Sequence, residues 1–594
     1  MNINSFLLSS KHQLIILLLF AVGLNINPLF NQYAVDDAIV LTNNKFVEKG
    51  IKGIPEIVTQ DYFKGLGTLK GNELSGGRYR PFALIVFAIE YQFFGANPFI
   101  SHLINVLLFA ILIVLLYQLL HKYIFKEQNK YLAFITCLLF VTHPIHTEVI
   151  ANVKSRDELI VFILLVISLI RLIKYFETKS SGKLITTLIC FLLALLTKES
   201  SAAFIAIVPA VLFFFYNQSF KKSILFSIPL IIVFIVYIAL RFSIVGFHSA
   251  ASNLILNTPY LFASLSQAFA SKVFILFKYI LLLFIPHLLS SDYSYNQIPY
   301  VDINSAQFIF SLLFLLSLIA YAIITSKTKS LISFSIIFFF INIFLVSNLI
   351  VNIGAPLAER LLFQPSLAYC IVIASLYLKA NKNYKVLANS ALLIVLLLFS
   401  IKTISRNADW KNNDTLYFAD VITSPNSLRT NMYAAESYLN KANAEKNADL
   451  KTEYFNKSIY YGEHAINIYQ KDAFIYMNLG SAYFGVKDYF KAADLWQQAY
   501  KLEPAEPEAK KATDFISSFL FTQGNSYYEK GNIDDAIKYY KKATELNTDN
   551  IEAWYNLGGS YYTKLDTLNA KLAWNRVKQL APKHKFNKQE FINN

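Results

Sequence analysis

The sequence predicts an all-α protein in two parts, a bundle of membrane-crossing helices followed by a soluble array of helix pairs. Three observations carry this. Of 594 residues, 55% are hydrophobic and only 16% charged, the balance of a membrane protein with a soluble portion attached. Apolar runs fill residues 13 to 401, and polar sequence with helical periodicity runs from there to the end. Within that polar portion a pattern of Gly, Ala and aromatic residues recurs about every 34 residues.

The first apolar run, "HQLIILLLFAVGLNINPLF", has the basic residue and short core of a secretory signal. No small-residue cleavage site follows it, so it reads as a retained anchor. Spans need about 17–25 apolar residues. They are placed at 13–30, 99–120, 131–145, 158–175, 183–198, 200–215, 223–241, 305–325, 330–350, 361–378 and 386–402, about eleven in all. Two apolar stretches are left out. Residues 81–97 carry Glu90 and Gln92, and 271–288 carry Lys272 and Lys278, which suits helices lying in the interface. The predicted domains are a membrane part over 1–402, with its first outer loop at 31–98, a linker at 403–427, and repeats over 428–594.

Lysine placement supports this order. With the N-terminus in the cytoplasm, the inner loops read "HKYIFKEQNK", "RLIKYFETKSSGK", "YNQSFKKS", "TSKTKS" and "KANKNYK", all basic and without Asp. Much of the net charge of +15 is therefore topological, and no nucleic-acid partner is needed to explain it. Cys137, Cys190 and Cys370 lie in apolar segments and form neither a disulfide framework nor a CxxC pair. Parity then sends the loop of Asp36 and Asp37 outward. "THPIHTEVIANVKSRDEL", "LTKES", "SSDYSYNQIP", "GAPLAER" and the C-terminal region go with it.

The polar third matches the tetratricopeptide pattern of paired helices. "IYMNLGSAYFGVKDYFKAADLWQQAYKLEP" supplies Tyr476, Leu479, Gly480, Tyr483, Ala492, Trp496, Ala499 and Pro504 at the expected spacings. Trp554, Leu557, Gly558, Tyr561, Ala570, Trp574 and Pro582 repeat it, as do Leu520, Gly524, Tyr527, Ala536, Tyr540 and Ala543. A degenerate unit precedes them at 428–470, giving about four. Small residues let the paired helices approach, the aromatics fill the gaps, and the stacked array leaves a groove suited to a peptide.

Ionisable residues outside the repeats gather on the outer face: Asp36, Asp37, Arg78, Arg80, His102, His143, His146, Glu148, Arg156, Asp157, Glu158, Lys198, Glu199, Glu359 and Arg360. Each has an ordinary reading. Asp36 and Asp37 could cap a helix, Lys198 and Arg360 could snorkel, and two histidines with one acid make a poor metal site. Their co-location argues otherwise. A lipid-linked phosphate needs cations at headgroup level, and an acceptor hydroxyl needs a carboxylate base.

The acidic pair, "YRP", "GANPFISHLIN", "HPIHTE", "SRDEL", "TKES", "AERLLFQPS", "SRNADW" and the helical repeats, in that order, resemble the transmembrane and tetratricopeptide repeat-containing O-mannosyltransferases and their bacterial relatives. These are GT-C glycosyltransferases. The resemblance implies a polytopic GT-C fold with a catalytic first outer loop. It implies a polyprenyl-phosphate sugar as donor, inversion at the anomeric carbon, and no resident cofactor or required metal. By position, Asp36 is the catalytic base and Asp37 its neighbour, matching the Asp-Asp of the repeat-containing group. Arg78, Arg80, Arg156, Lys198 and Arg360 are candidate phosphate contacts, and His102, His143, Glu148 and Glu359 line the pocket. "YAVDD" lacks the Trp that often precedes the pair, which weakens stacking on the sugar.

The expected activity is transfer of a mannose-like sugar to Ser or Thr of exported proteins, with the repeats holding the acceptor. The expected setting is the inner membrane, with the first outer loop and the repeats on its periplasmic side. The alternatives are a transferase acting on glycolipid or lipid A, and a non-enzymatic scaffold.

Overall fold

The computed structural model describes residues 9–66, 77–126, 128–246 and 255–583. Parts of the first loop (67–76) and the last residues of the repeats (584–594) lie outside them. The described residues are helical throughout, without strands, and divide into two units, 1–425 and 426–594.

Among the described residues of the first unit, seven helices are long and apolar enough to cross a membrane, or eight if a bent pair counts as one span. They are Ser10–Phe30, Pro98–Ile124, Arg156–Thr178, Phe220–Val245, Leu265–Phe284, Ala306–Ser326 and Lys385–Asp409. The expected spans at 183–198, 200–215 and 330–350 are helices of 17, 12 and 14 residues, Ser181–Thr197, Phe204–Phe215 and Leu331–Phe344. At 1.5 Å per residue, 14 residues reach about 21 Å, short of a ~30 Å hydrocarbon core. The expected span at 131–145 is the bent pair: Leu132–Thr142 breaks by 57° against Pro144–Ala151, at His143–Pro144. The count of about eleven is therefore not confirmed: the helices at 183–198, 200–215 and 330–350 are apolar but shorter than the other spans.

Four of the five basic turns meet at one end of this unit. The Tyr216 hydroxyl donates to the Tyr123 carbonyl (2.9 Å), and Lys126 lies over the Tyr216 ring (5.1 Å). Lys179 lies over Phe226 (4.9 Å), and Lys329 Nζ donates to Asn217 Oδ1 (2.5 Å). The acidic loop and its partners occupy the other end, described below.

Leu265–Phe284 passes the length test although its stretch 271–288 is expected to lie in the interface. Its polar contacts run to residues outside the long helices near both of its ends. Near its start, Gln267 Nε2 donates to Asp302 Oδ1 (3.0 Å), and Ser271 Oγ accepts from the Val301 amide (2.9 Å). Near its end, the Leu283 carbonyl accepts from His143 Nε2 (3.0 Å), and the Tyr279 hydroxyl accepts from the Ala358 amide (3.0 Å). Ala306–Ser326 and Leu331–Phe344 form a hairpin closed by a hydrogen bond between the Thr325 and Ser333 hydroxyls, so residues 302 and 358 flank its open end. Both termini of Leu265–Phe284 are thus tied to the end opposite the basic turns.

Residues 403–427, expected as a linker, are largely helical. Lys385–Asp409 runs through residue 409, and Asn413–Thr423 follows it within the first unit. Buried Arg406 holds the two together by pairing with Asp420 (2.7 Å) and Asp409 (3.1 Å).

The second unit contains four helix pairs between Leu428 and Leu580. The repeat glycines sit against the aromatics of the partner helix. A Cβ on Gly480 would meet Trp496 at 2.6 Å, on Gly524 Tyr540 at 2.7 Å, and on Gly558 Trp574 at 2.4 Å. The indole of Trp496 donates to the Met477 carbonyl (3.0 Å), so the ring that fills the gap also satisfies its own polar atom.

Candidate active site

The acidic loop turns at Val35, a β-branched residue at φ +51°, a backbone state that costs about 1–3 kcal/mol and persists only where its surroundings impose it. Several contacts impose it. Asp37 Oδ2 accepts from the Ala34 amide (3.0 Å) and Oδ1 from the Lys154 amide (2.8 Å). The Gln32 amide donates to the Lys411 carbonyl (2.8 Å), and the Val35 amide to Asn413 Oδ1 (2.7 Å). Trp410, almost wholly buried, packs with Ala34, Ala151 and Leu416, with Val35 against them.

The two acids are therefore unlike. Asp37 is fully buried with both oxygens engaged by backbone donors, and burial pushes its carboxyl up to about 7. The Asp36 side chain is 40% exposed and pairs with Lys154 Nζ at 3.2 Å. Burial lowers the Lys154 ammonium, opposed by the Asp36 charge.

Four of the five expected phosphate contacts are engaged with carboxylates. Arg80 forks onto Glu199 (2.8 and 2.9 Å) and reaches Asp157 (3.4 Å). Lys198 bridges Asp157 (3.3 Å) and Glu158 (2.6 Å). Arg360 pairs with Glu148, which also accepts the Arg360 amide (2.9 Å). Arg156 is wholly buried. It pairs with Glu90 and donates to Asn105 Oδ1 (2.7 Å) and the Ser101 carbonyl (2.9 Å), with its guanidinium 4.6 Å from the Phe87 ring centre. The Ser101 hydroxyl joins Glu90 to the Tyr33 hydroxyl, which ties this pair to the acidic loop. Glu90 of the 81–97 stretch thus lies in a buried ion pair.

Arg78 differs from these four. It is half-exposed, lies 5.3 Å from the Phe63 ring centre, and makes no ion pair among the described residues. Burial and neighbouring Arg80 hold its guanidinium below its ordinary value.

The expected pocket residues are buried. His102 donates to the Gln32 carbonyl (3.4 Å), and its Nδ1 meets no partner. His143 is turned to Leu283 and His146 to Ser366 (2.8 Å), so the two rings do not converge on one point. No group of three or more His, Cys, Asp or Glu able to hold a metal occurs among the described residues. Glu359 accepts from the Ser290 amide (2.6 Å) and the Tyr293 hydroxyl (2.6 Å), and burial pushes it up to about 8. Ser291 donates to Asp420 (2.9 Å), joining this cluster to Arg406.

Sequence reasoning missed Lys154, Glu90, Trp410 and Asn413 as partners of the site. Only "SRNADW" signalled that the end of the last long helix mattered, and nothing in it named the loop it touches.

A tetratricopeptide-repeat family model matches residues 524–564. Over longer stretches the chain is 24% identical to protein O-mannosyl-transferase Tmtc3 of Drosophila melanogaster, covering 83% of this chain and 60% of that protein. It is 25% identical to TMTC3 of Homo sapiens (94% and 67%) and 24% to tmtc2 of Xenopus laevis (94% and 79%). It thus spans 60% and 67% of the length of the first two relatives. Among solved structures, MamA aligns with 31% of this chain at 20% identity and a TM-score of 0.17, which carries no argument. Over most of its length the chain resembles the transmembrane and tetratricopeptide repeat-containing protein O-mannosyltransferases.

Proposed function

We propose that the chain is a GT-C membrane glycosyltransferase that moves a mannose-like sugar from a polyprenyl-phosphate donor to Ser or Thr hydroxyls of exported proteins. One observation carries this reading: of the two adjacent acids, Asp36 alone keeps an exposed carboxylate, paired with Lys154 and within electrostatic reach of Arg78 and Arg360. The similarity to protein O-mannosyltransferases supplies the reaction class.

In this mechanism the acceptor oxygen attacks the anomeric carbon from the face opposite the phosphate. Asp36 takes the hydroxyl proton, the bond from carbon to phosphate oxygen breaks, and the lipid phosphate leaves as an anion. Arg78 holds that phosphate, because its charge is not already matched by a carboxylate, and Lys154 stands next to the reacting acid. Arg80, Arg156, Lys198 and Arg360 act at one remove, fixing the loops through Glu199, Glu90, Asp157, Glu158 and Glu148.

The charged end faces the extracytoplasmic side, since basic turns are retained in the cytoplasm. Arg406, at the end of the last long helix, joins that charged end through Asp420, so the chain leaves the membrane there toward the repeats. The repeats hold the acceptor protein and raise its effective concentration at Asp36.

The test is transfer by purified protein from undecaprenyl-phosphate mannose to a serine/threonine-rich peptide, read by mass spectrometry. The account expects a peptide heavier by one sugar residue. Transfer to a glycolipid and never to peptide would establish the lipid-directed alternative, and no transfer to either would leave the scaffold.

A further inference from the structure

We infer that Asn413 is a positioning residue for Asp36, holding the strained turn that aims the carboxylate. The inference rests on the reading of Asp36 as the base and adds a residue from a distant helix to its machinery.

Val35 directly precedes Asp36 and is held at φ +51°, where a β-branched side chain does not settle by itself. Its amide donates to Asn413 Oδ1 at 2.7 Å, across 378 residues of sequence. That side chain is not occupied with capping its own helix. Asn412 caps Asn413–Thr423, in a box with Thr415, so Asn413 is free to reach the loop. The loop is thereby clamped from two sides. Asp37 accepts the Ala34 and Lys154 amides on one, and the Trp410–Asn413 segment holds Gln32 and Val35 on the other. Of the contacts in the second clamp, only the one from Asn413 runs through a side-chain acceptor and can be removed without touching the backbone.

Without that acceptor Val35 relaxes toward negative φ and Asp36 turns away from the hydroxyl. Asn413→Ala should lower kcat about 10–100-fold, the range for a reacting group misplaced by ~1 Å, with the KM for donor within threefold. Glycine accepts positive φ without strain. Val35→Gly placed in the Asn413→Ala background should therefore restore about tenfold of the lost rate.

The experiment measures mannosyl transfer from undecaprenyl-phosphate mannose to a serine/threonine-rich peptide by wild type, Asp36→Asn, Asn413→Ala and Val35→Gly/Asn413→Ala. Loss in Asn413→Ala with recovery in the double variant is the expected result. Wild-type kcat in Asn413→Ala, or loss without recovery, overturns the inference. If Asn413→Ala does not fold, Asn413→Asp, which keeps the acceptor oxygen at a helix start, must retain most of the rate, and its loss overturns the inference. An inactive wild type or a fully active Asp36→Asn would refute the reading of Asp36 itself, which separates the two failures.

Discussion

Arg156→Met separates a structural cation from a substrate-binding one. The guanidinium makes three buried polar contacts, to Glu90, to Asn105 Oδ1 and to the Ser101 carbonyl, and lies against Phe87. Methionine keeps most of the volume and the contact with Phe87 but leaves the buried Glu90 carboxylate without a counter-charge. Breaking a buried pair in this way costs about 3–5 kcal/mol. At roughly 1 °C per kcal/mol for a unit of 425 residues, the melting temperature should fall by roughly 3–5 °C. Glu90→Gln in the same chain removes the stranded charge and still accepts the Ser101 hydroxyl, so the double variant should regain about 2 kcal/mol. Thermal unfolding in detergent, followed by intrinsic fluorescence, reads both. Donor affinity, measured alongside, should match wild type in the double variant. Wild-type melting in both variants would refute the structural reasoning. A folded double variant that binds donor more than tenfold weaker would return Arg156 to the phosphate.

Arg78→Met should do the reverse. It leaves no carboxylate without a partner, so melting stays within about 2 °C, while the KM for donor rises about tenfold. A KM equal to wild type would remove Arg78 from the phosphate site. Asp37 gives a pH dependence of known sign. Its folded value of about 7 lies above the ~3.9 of an unfolded chain, so between those values the folded state keeps a proton that the unfolded state has lost. Loop stability therefore falls as pH rises from about 4 to 7, by about 4 kcal/mol in full. Hydrogen exchange over residues 32–40, corrected for intrinsic rates, should be faster at pH 8 than at pH 5, and Asp37→Asn should flatten the difference. An unchanged trend in Asp37→Asn would assign it to another group.

How much of this was legible in the sequence depended on the range of the interaction that fixed each feature. The repeats were legible because their contacts recur at fixed spacing: Gly480 against Trp496 is a distance of 16 residues, repeated at Gly524 with Tyr540 and Gly558 with Trp574. The segregation of basic turns was legible because each turn carries its own lysines. The roles of the cations were not. Arg156 finds Glu90 66 residues away, Arg80 finds Glu199 across 119, and Arg360 finds Glu148 across 212. A residue list shows that acids and bases share a face but not that they neutralise one another. The different fates of Asp36 and Asp37 were hidden for a like reason. One is buried by amides at Ala34 and Lys154, and the other is exposed by a turn at Val35 that no propensity for valine would suggest. The expected span at 330–350 ran past its helix, which ends at Phe344 ahead of the polar Ser347–Asn348.

The claim that Asp36 takes the proton is tested most directly by Asp36→Asn, an isosteric change that removes the base and keeps the shape of the loop. The turnover of purified Asp36→Asn on undecaprenyl-phosphate mannose and a serine/threonine-rich peptide should fall about 10²–10⁴-fold, with donor affinity retained. Turnover equal to wild type would contradict the account.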